Sequence, residues 1–468
     1  MSTDNEKNDT KHTKLTLPEH VGIPHVLEIA WPIMLSMLSF AAMNFVNALW
    51  VGPLGKAHLA AAGIGGVLLY AIHGFGYGVL TGLKISVSQA HGAGEDLYAR
   101  RLLWHGLRLA LWMGLLEILF IPLGGPLLQL LGASDAVSPL AEEYFAMRVI
   151  GGVPAFIMTA LTQYLQGRGR TVAPMVAMIV ANLFNVVLDP MFIYGWGPIP
   201  EMGIGGAGLA ASISFGFGAL YLLWVPRPEL TGTPRHFERP LLARIWRLGF
   251  PLGGRATLEI ASYLIFTGIL AAMGDAHLAA HVIVVRTISV SFLPGYAISE
   301  AVSVLVGQAI GARRIDLVAD IRKAGLKIAV SFMCACGVVF VLFPVPLTAI
   351  HGATPDVVEI AVELFVISAL FQLFDAFAMT GLGVLNGAGD TRFVLIATVS
   401  VAWLAKLPLG YLLAGEVGMG AAGAWWGIVF EVIVLWGVVA WRLRSGGWRR
   451  AADAERVRSD AAEALAAT

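Results

Sequence analysis

Twelve runs of mostly apolar residues succeed one another along the chain, and no other feature narrows its fold so far. They lie near 26–51, 58–90, 102–131, 140–165, 172–195 and 205–226 and, after a basic linker, near 246–273, 277–309, 324–350, 358–385, 393–414 and 421–442. A bilayer core needs about 20 mostly apolar residues for each helix that crosses it. Charge supplies the complementary argument. Charged residues make up 13% and hydrophobic residues 57% of the chain, with a mean hydropathy of +0.75, where soluble domains carry roughly 25% charged residues. Too little polar surface exists to wrap a body of this length in water, so lipid must face much of it. The expected fold is an all-α integral membrane protein with twelve transmembrane helices.

The few basic residues order these spans. Lys7, Lys11 and Lys14 precede the first span, Arg100 and Arg101 follow the second, and Arg168 and Arg170 follow the fourth. Arg227, Arg235, Arg239, Arg244 and Arg247 mark the linker, Arg313, Arg314, Arg322 and Lys323 follow the eighth, and Arg392 follows the tenth. Arg442 to Arg458 lie in the tail, whereas the loops after odd spans contain only Lys56. Cytoplasmic loops concentrate Lys and Arg, so a multi-pass protein of the cell membrane with both termini cytoplasmic is expected. The polar first 23 residues hold no apolar run, which argues against a cleavable signal peptide. The formal charge of +0 excludes an overall field for nucleic acid. Cys334 and Cys336 sit in an apolar run and read as packing residues.

The chain also repeats itself. "VSQAHGAG" at 87–94 returns as "VGQAIGAR" at 306–313, and "LGKAHLAAAGI" at 54–64 returns as "MGDAHLAAHVI" at 273–283, both at an offset of 219. Trp31-Pro32 returns as Phe250-Pro251 at the same offset, and "LQGRGRT" at 165–171 as "LNGAGDT" at 385–391 at an offset of 220. "GIGGAG" at 203–208 recurs more loosely as "GMGAAG" at 418–423. An even number of spans per copy makes the copies parallel, related by an axis along the membrane normal, with a cavity between or within them. The expected division is a tail, 1–24, a six-helix bundle, 25–226, a linker, 227–245, a second six-helix bundle, 246–442, and a helical or disordered tail, 443–468.

These residues resemble the MATE family of multidrug and toxic compound extrusion transporters. The resemblance is carried by "FVNALWVGPLGKAHLAA", "VSQAHGAG", "LQGRGRT", "NVVLDPMFIYG", "GFPLGGRATLEIA" and "DAFAMTGLGVLNGAGDTR", in the family's order over roughly residues 25–442. It implies two six-helix bundles forming a V of the MOP type around a large cavity. It also implies a secondary active antiporter that exports organic cations and xenobiotics by alternating access, in exchange for inward sodium or protons. No cofactor beyond that coupling ion is expected. The expected partners are the lipid bilayer and small organic cations, and the chain is expected to act as a monomer.

Ionised groups within the bilayer are costly and mark function. Glu259 lies midway along the seventh span and Asp375 in the middle third of the tenth; their repeat counterparts are Phe40 and Ala155. Acids present in one half alone suggest that the C-terminal half handles ions, and the resemblance places both residues at the membrane carboxylates of the NorM branch. They are candidate coupling residues and candidate sodium ligands. An internal ion pair with Arg255, one helical turn earlier, is the competing reading of Glu259. Asn185 and Asp189 share a face of the fifth span. The family's DinF branch uses this pair with an Asp in the first span, where this chain has Asn47, so an N-terminal proton switch is in doubt. The competing reading is an Asp189 carboxylate satisfied by Asn185 and Asn47. Glu117, Glu300, Glu431, Lys84, Arg108, Arg148, Arg286, Lys327 and Lys406 complete the charges within spans, several near span ends where snorkelling explains them. Tyr70, Tyr263, Phe266, Phe292 and Tyr296 are candidate substrate-binding aromatics for flat cations.

An enzyme is not expected, because neither HExxH nor GxSxG occurs and the histidines show no ligand spacing. The literal GxGxxG at Gly203, Gly205 and Gly208 is assigned to a loop without a strand. Two nonidentical halves with buried acids favour a carrier over a channel. The loop "QAHGAGEDLYARR" lacks the signature of the major facilitator fold. A flippase of a lipid-linked sugar is the main alternative, with Lys84, Arg255, Arg286 and Lys406 as diphosphate-binding cations.

Overall fold

The computed structural model describes residues 18–466, with side chains through 458. Lys7, Lys11 and Lys14 lie outside the described residues. The first half comprises Ile23–Val51, Lys56–Ala93, Asp96–Leu130, the pair Ser138–Ile150 and Gly152–Gly167, Val172–Ile193 and Gly203–Trp224. The second comprises Arg239–Ala271, Asp275–Gly311, Leu317–Leu342, Pro355–Gly387, Thr391–Glu416 and Gly420–Arg444. Ten of these are long and apolar enough to cross a membrane unaided, and the fourth span, bent by 51°, makes eleven. The seventh, Arg239–Ala271, carries Arg255 and Glu259 at mid-length, which lowers its hydropathy.

Most span boundaries fall within a few residues of the expected runs; the ninth span lies earlier, at Leu317–Leu342, and two further corrections concern the linker and the glycine motif. The seventh span begins at Arg239, well before residue 246, so the linker is short and holds only the helical turn Arg227–Thr231. Gly203, Gly205 and Gly208 lie on the first turns of the sixth span rather than in a loop. There, a Cβ on Gly206 would stand 2.4 Å from the Phe192 carbonyl and one on Gly208 2.8 Å from the Tyr144 carbonyl, so these glycines serve helix packing. The tail forms a helix, Gly447–Ala466, that docks on the bundle through buried Trp448 and Ala452.

The repeat governs the turns as well as the spans. Gly55 and Gly274, 219 residues apart, open the second and eighth helices with φ of 116° and 113°. No L side chain adopts that conformation without strain, so the shared "LG" and "MG" steps are backbone requirements. Pro32 and Pro251 both sit inside continuous helices, which do not break at them.

Packing differs between the two faces of the bundle. On the face where the described residues begin and end, Val26, Ile29, Ala30 and Ile33 of the first span join Ala297, Ile298, Ala301 and Val302 of the eighth. Symmetrically, Leu241 and Ile245 of the seventh span join Val79, Leu80 and Leu83 of the second. On the opposite face each core belongs to one half: Val51, Leu68, Tyr144 and Ile204 in the first, Phe266, Val284, Phe365 and Trp425 in the second. The halves are thus interlocked at the basic face and independently packed at the other.

The spacing of Gly74, Gly78 and Gly82 implies a close helix contact, and the partner is the seventh span. A Cβ on Gly78 would come within 2.6 Å of Gly253 backbone, and one on Gly82 within 2.3 Å of the Ile245 carbonyl and 2.6 Å of the Gly249 nitrogen. Two backbones touch where most helix pairs are held apart by side chains.

Candidate functional site

Five charged side chains gather in the second half. Arg255 donates through Nε to Glu259 Oε1 at 2.7 Å, one turn apart on the seventh span. Lys406 Nζ lies 3.3 Å from Glu431 Oε2, linking the eleventh and twelfth spans. Lys406 ends a π-helical segment, Ala402–Lys406, whose wider turn reorients the side chain relative to a regular helix. Asp375 on the tenth span is 7% exposed, and its Oδ2 has no hydrogen-bond partner among the described residues. Its charge neighbours are Glu431 and Arg255. Glu431 in turn senses Glu259, so the five form one electrostatic group. Three carboxylates face two cations, and −3 + 2 leaves −1. Each glutamate has its own cation, and Asp375 is the carboxylate without one.

This corrects two expectations. Glu259 and Asp375 are not equivalent acids short of cations: the Arg255–Glu259 ion pair is present, and the Glu259 side chain is 40% exposed. Lys84, a candidate diphosphate-binding cation, is buried in an ion pair. Lys84 donates to Glu300 across the boundary between halves, from the second span to the eighth, and neither side chain reaches solvent appreciably. Glu300 also lies among Tyr77, Tyr296 and Arg255. Lys84→Met is expected to cost about 3–5 kcal/mol, because it leaves Glu300 buried beside no lysine. Lys84→Met combined with Glu300→Leu should recover most of that loss. Thermal unfolding in detergent measures both; a double variant no more stable than Lys84→Met would contradict the pairing.

The first half is not free of buried acids, contrary to the asymmetry expected from Phe40 and Ala155. Asn185 donates through Nδ2 to Asp189 Oδ1 at 3.0 Å, and both are fully buried. Asp189 Oδ2, Asn185 Oδ1 and Asn47 Oδ1 have no hydrogen-bond partner among the described residues. Asn47 is buried on the first span, which packs along the fifth. Asn47 therefore does not close the shell around Asp189, and unpaired oxygen atoms remain among buried side chains, where each is costly. Arg148 is the cation nearest Asp189. Glu117, which the sequence shows only as one of the charges within spans, is buried with Oε1 3.4 Å from His73 Nδ1. His73 stacks on Phe156 at 4.1 Å. The signal was available only as two isolated residues 44 positions apart.

The candidate aromatics divide. Tyr70 is 62% exposed and interacts with Glu259. Phe292 stacks on Tyr296 at 6.3 Å, and Tyr296 borders Glu300 and Arg255. Tyr263 is exposed along the seventh span. Phe266 is not available to a substrate: it is 2% exposed and packed in the second half's core, because its position turns it toward His281 of the eighth span and Gly410 of the eleventh. Among the described residues, no three His, Cys, Asp or Glu side chains converge as a metal-ligand set, so Glu259 and Asp375 do not form part of a preformed cage of that kind.

Comparison with known proteins adds an independent line. A family model described as MatE matches residues 32–191 and again residues 251–412, one match on each repeat. A Pseudomonas aeruginosa protein named "Probable multidrug resistance protein NorM" is 31% identical over 437 residues, covering 88% of this chain and 87% of its own. "Multidrug resistance protein NorM" of Burkholderia vietnamiensis is 29% identical over 431 residues, covering 88% of this chain and 92% of its own. The solved structure of the Vibrio cholerae MATE transporter VcmN in the bent form superposes with a TM-score of 0.83 at 22% identity, covering 93% of this chain and 98% of its own. At that identity the likeness establishes a shared fold.

Proposed function

Because this chain belongs to the MatE family of membrane transporters, we propose that it exports organic cations and xenobiotics by alternating access, in exchange for protons or sodium. The observation that carries this reading is the single negative charge left over in the group Arg255, Glu259, Asp375, Lys406 and Glu431. One monovalent cation balances it. A second cation would overcharge a group centred on the buried Asp375, where charge is expensive. Proton or sodium on one side and organic cation on the other therefore exclude each other, and mutual exclusion between two membrane faces is antiport. The separate cores at one face, with the halves interlocked at the basic face, suit a carrier open to one side at a time. The basic loops support a cytoplasmic position for that interlocked face in a cell membrane.

A lipid-linked sugar requires a cationic cavity for its diphosphate. Lys84, Arg255 and Lys406 are each paired with a glutamate, which leaves little positive charge for that purpose. Uptake of a labelled organic cation into inverted vesicles, under an imposed proton or sodium gradient, tests the proposal. Accumulation driven by one of the two gradients and collapsed by its ionophore is expected. Uptake that is indifferent to both gradients would remove antiport.

A further inference from the structure

The repeated tails "VSQAHGAG" and "VGQAIGAR" meet at the interlocked face. Gln89 Nε2 donates to the carbonyl of Gly387 at 3.0 Å, and Gln308 Nε2 donates to the carbonyl of Gly167 at 3.1 Å. Each bond joins one half to the other. Gly167 and Gly387 are the last residues of the helices that end the fourth and tenth spans, and the final carbonyls of a helix have no partner within it. Each glutamine therefore caps a helix of the opposite half. The backbones around them are in contact: a Cβ on Gly92 would stand 2.0 Å from the Gln308 carbonyl, and one on Gly311 1.9 Å from the Gln89 carbonyl. Both glutamines are buried, so neither side chain reaches its acceptor by chance of solvent exposure.

We propose that Gln89 and Gln308 are the positioning residues of transport at this face, a reciprocal latch that holds the two halves shut, and that the C-terminal helix tightens one of its two bonds. The proposal rests on the transport reading, since the halves must part at this face for alternating access. A latch of neutral amides suits that movement. When the halves part, water replaces each bond, so closing and opening differ by a small free energy.

The two bonds are not equally supported. Arg244 Nη2 donates to Gln89 Oε1 at 2.9 Å, orienting the amide so that its nitrogen faces Gly387. Arg244 also donates to the Tyr98 hydroxyl at 3.1 Å and lies 3.4 Å from Glu455 of the C-terminal helix. Glu455 is 3% exposed and accepts from Arg247 at 2.7 Å. The repeat position of Arg244 in the first half is His25, whose Nδ1 accepts from Gly22 N. Gln308 has no equivalent clamp from that position. The tail thus acts on Gln89 and leaves Gln308 alone.

The test uses the purified full chain in nanodiscs, with Cys334 and Cys336 replaced by Ser and distance labels at exposed Leu97 and Ala319 on the two halves. Gln308→Ala should raise the open-to-closed ratio at this face about fivefold, the weight of one net hydrogen bond, and Gln89→Ala should raise it further, because it also removes the bond from Arg244 of the second half. Glu455→Gln should raise it less. It should add to Gln308→Ala and add nothing to Gln89→Ala, because its effect passes through Gln89. If Gln89→Ala does not fold, the near-isosteric Gln89→Met replaces it, losing the donor without adding a charge opposite Arg244. Wild-type ratios in both glutamine variants would overturn the latch, and equal addition of Glu455→Gln to both would overturn the role of the tail. The ratio is read without substrate or gradient, so failure of the uptake assay leaves this outcome unaffected.

Discussion

Asp375→Asn is expected to abolish gradient-driven cation transport while leaving the protein folded. Asparagine matches aspartate in size, so packing on the tenth span is conserved. What changes is the charge of the group, from −1 to zero, because Asp375 is the carboxylate with no cation of its own. A unit charge attracts a cation 4 Å away by about 4 kcal/mol at an effective dielectric constant near 20. Desolvation of the arriving ion removes part of that, so a loss of roughly 100-fold in cation affinity is expected. Stability should not fall, since the native carboxylate has a buried oxygen with no partner among the described residues. The double variant Arg255→Gln with Glu259→Gln provides the contrast: it removes one charge of each sign, keeps −1, and is expected to retain transport. Uptake into vesicles and thermal unfolding in detergent measure both. Transport at the wild-type rate in Asp375→Asn would show that the leftover charge does not drive the exchange.

Gly249→Ala should be the most damaging single methyl in the seventh span. The added carbon would stand 1.9 Å from the Val79 carbonyl and 2.6 Å from its carbon, both backbone atoms of the second span. No side chain can rotate away, so two helices must separate along the contact that joins the halves. Overpacking in a core ordinarily costs about 1–3 kcal/mol, and a backbone clash is expected at or above the top of that range. Gly254→Ala, five residues further along the same helix, is the control. Its Cβ would meet only Leu395 Cδ1, at 4.0 Å. Replacing a helical glycine there should stabilise by about 0.5–1 kcal/mol through backbone entropy. Thermal unfolding of the two variants should therefore move in opposite directions. A Gly249→Ala protein as stable as wild type would mean that the helices are not in backbone contact.

The sequence made much of the frame legible. Spans, turns and the duplication were readable because each depends on residues near one another in the chain: apolar length, a glycine with positive φ, a motif returning at a fixed offset. The candidate site was only partly legible. Asp375 and Asp189 were found because an acid in an apolar run is conspicuous by itself. The Arg255–Glu259 pair was foreseen as an alternative because both residues lie on one helix turn. Lys84–Glu300 and Lys406–Glu431 were not foreseen as pairs, because each joins two different helices, in the first case helices of different halves. Phe266 was misplaced because helical periodicity tells which residues share a face but not which neighbour that face meets.

The sequence by itself determined that this chain is helical, that it lives in lipid, and that it is two parallel copies of one bundle. Those outcomes follow from local chemistry: an apolar helix satisfies its own backbone in hydrocarbon, and a duplicated gene duplicates every such helix. Only the tertiary structure decided which carboxylate lacks a counter-ion and which glutamine reaches across to the other half. A charge is balanced, and an amide satisfied, by whatever atom lies within a few ångströms, and folding brings that atom from 216 residues away for Glu300 and 298 for Gln89.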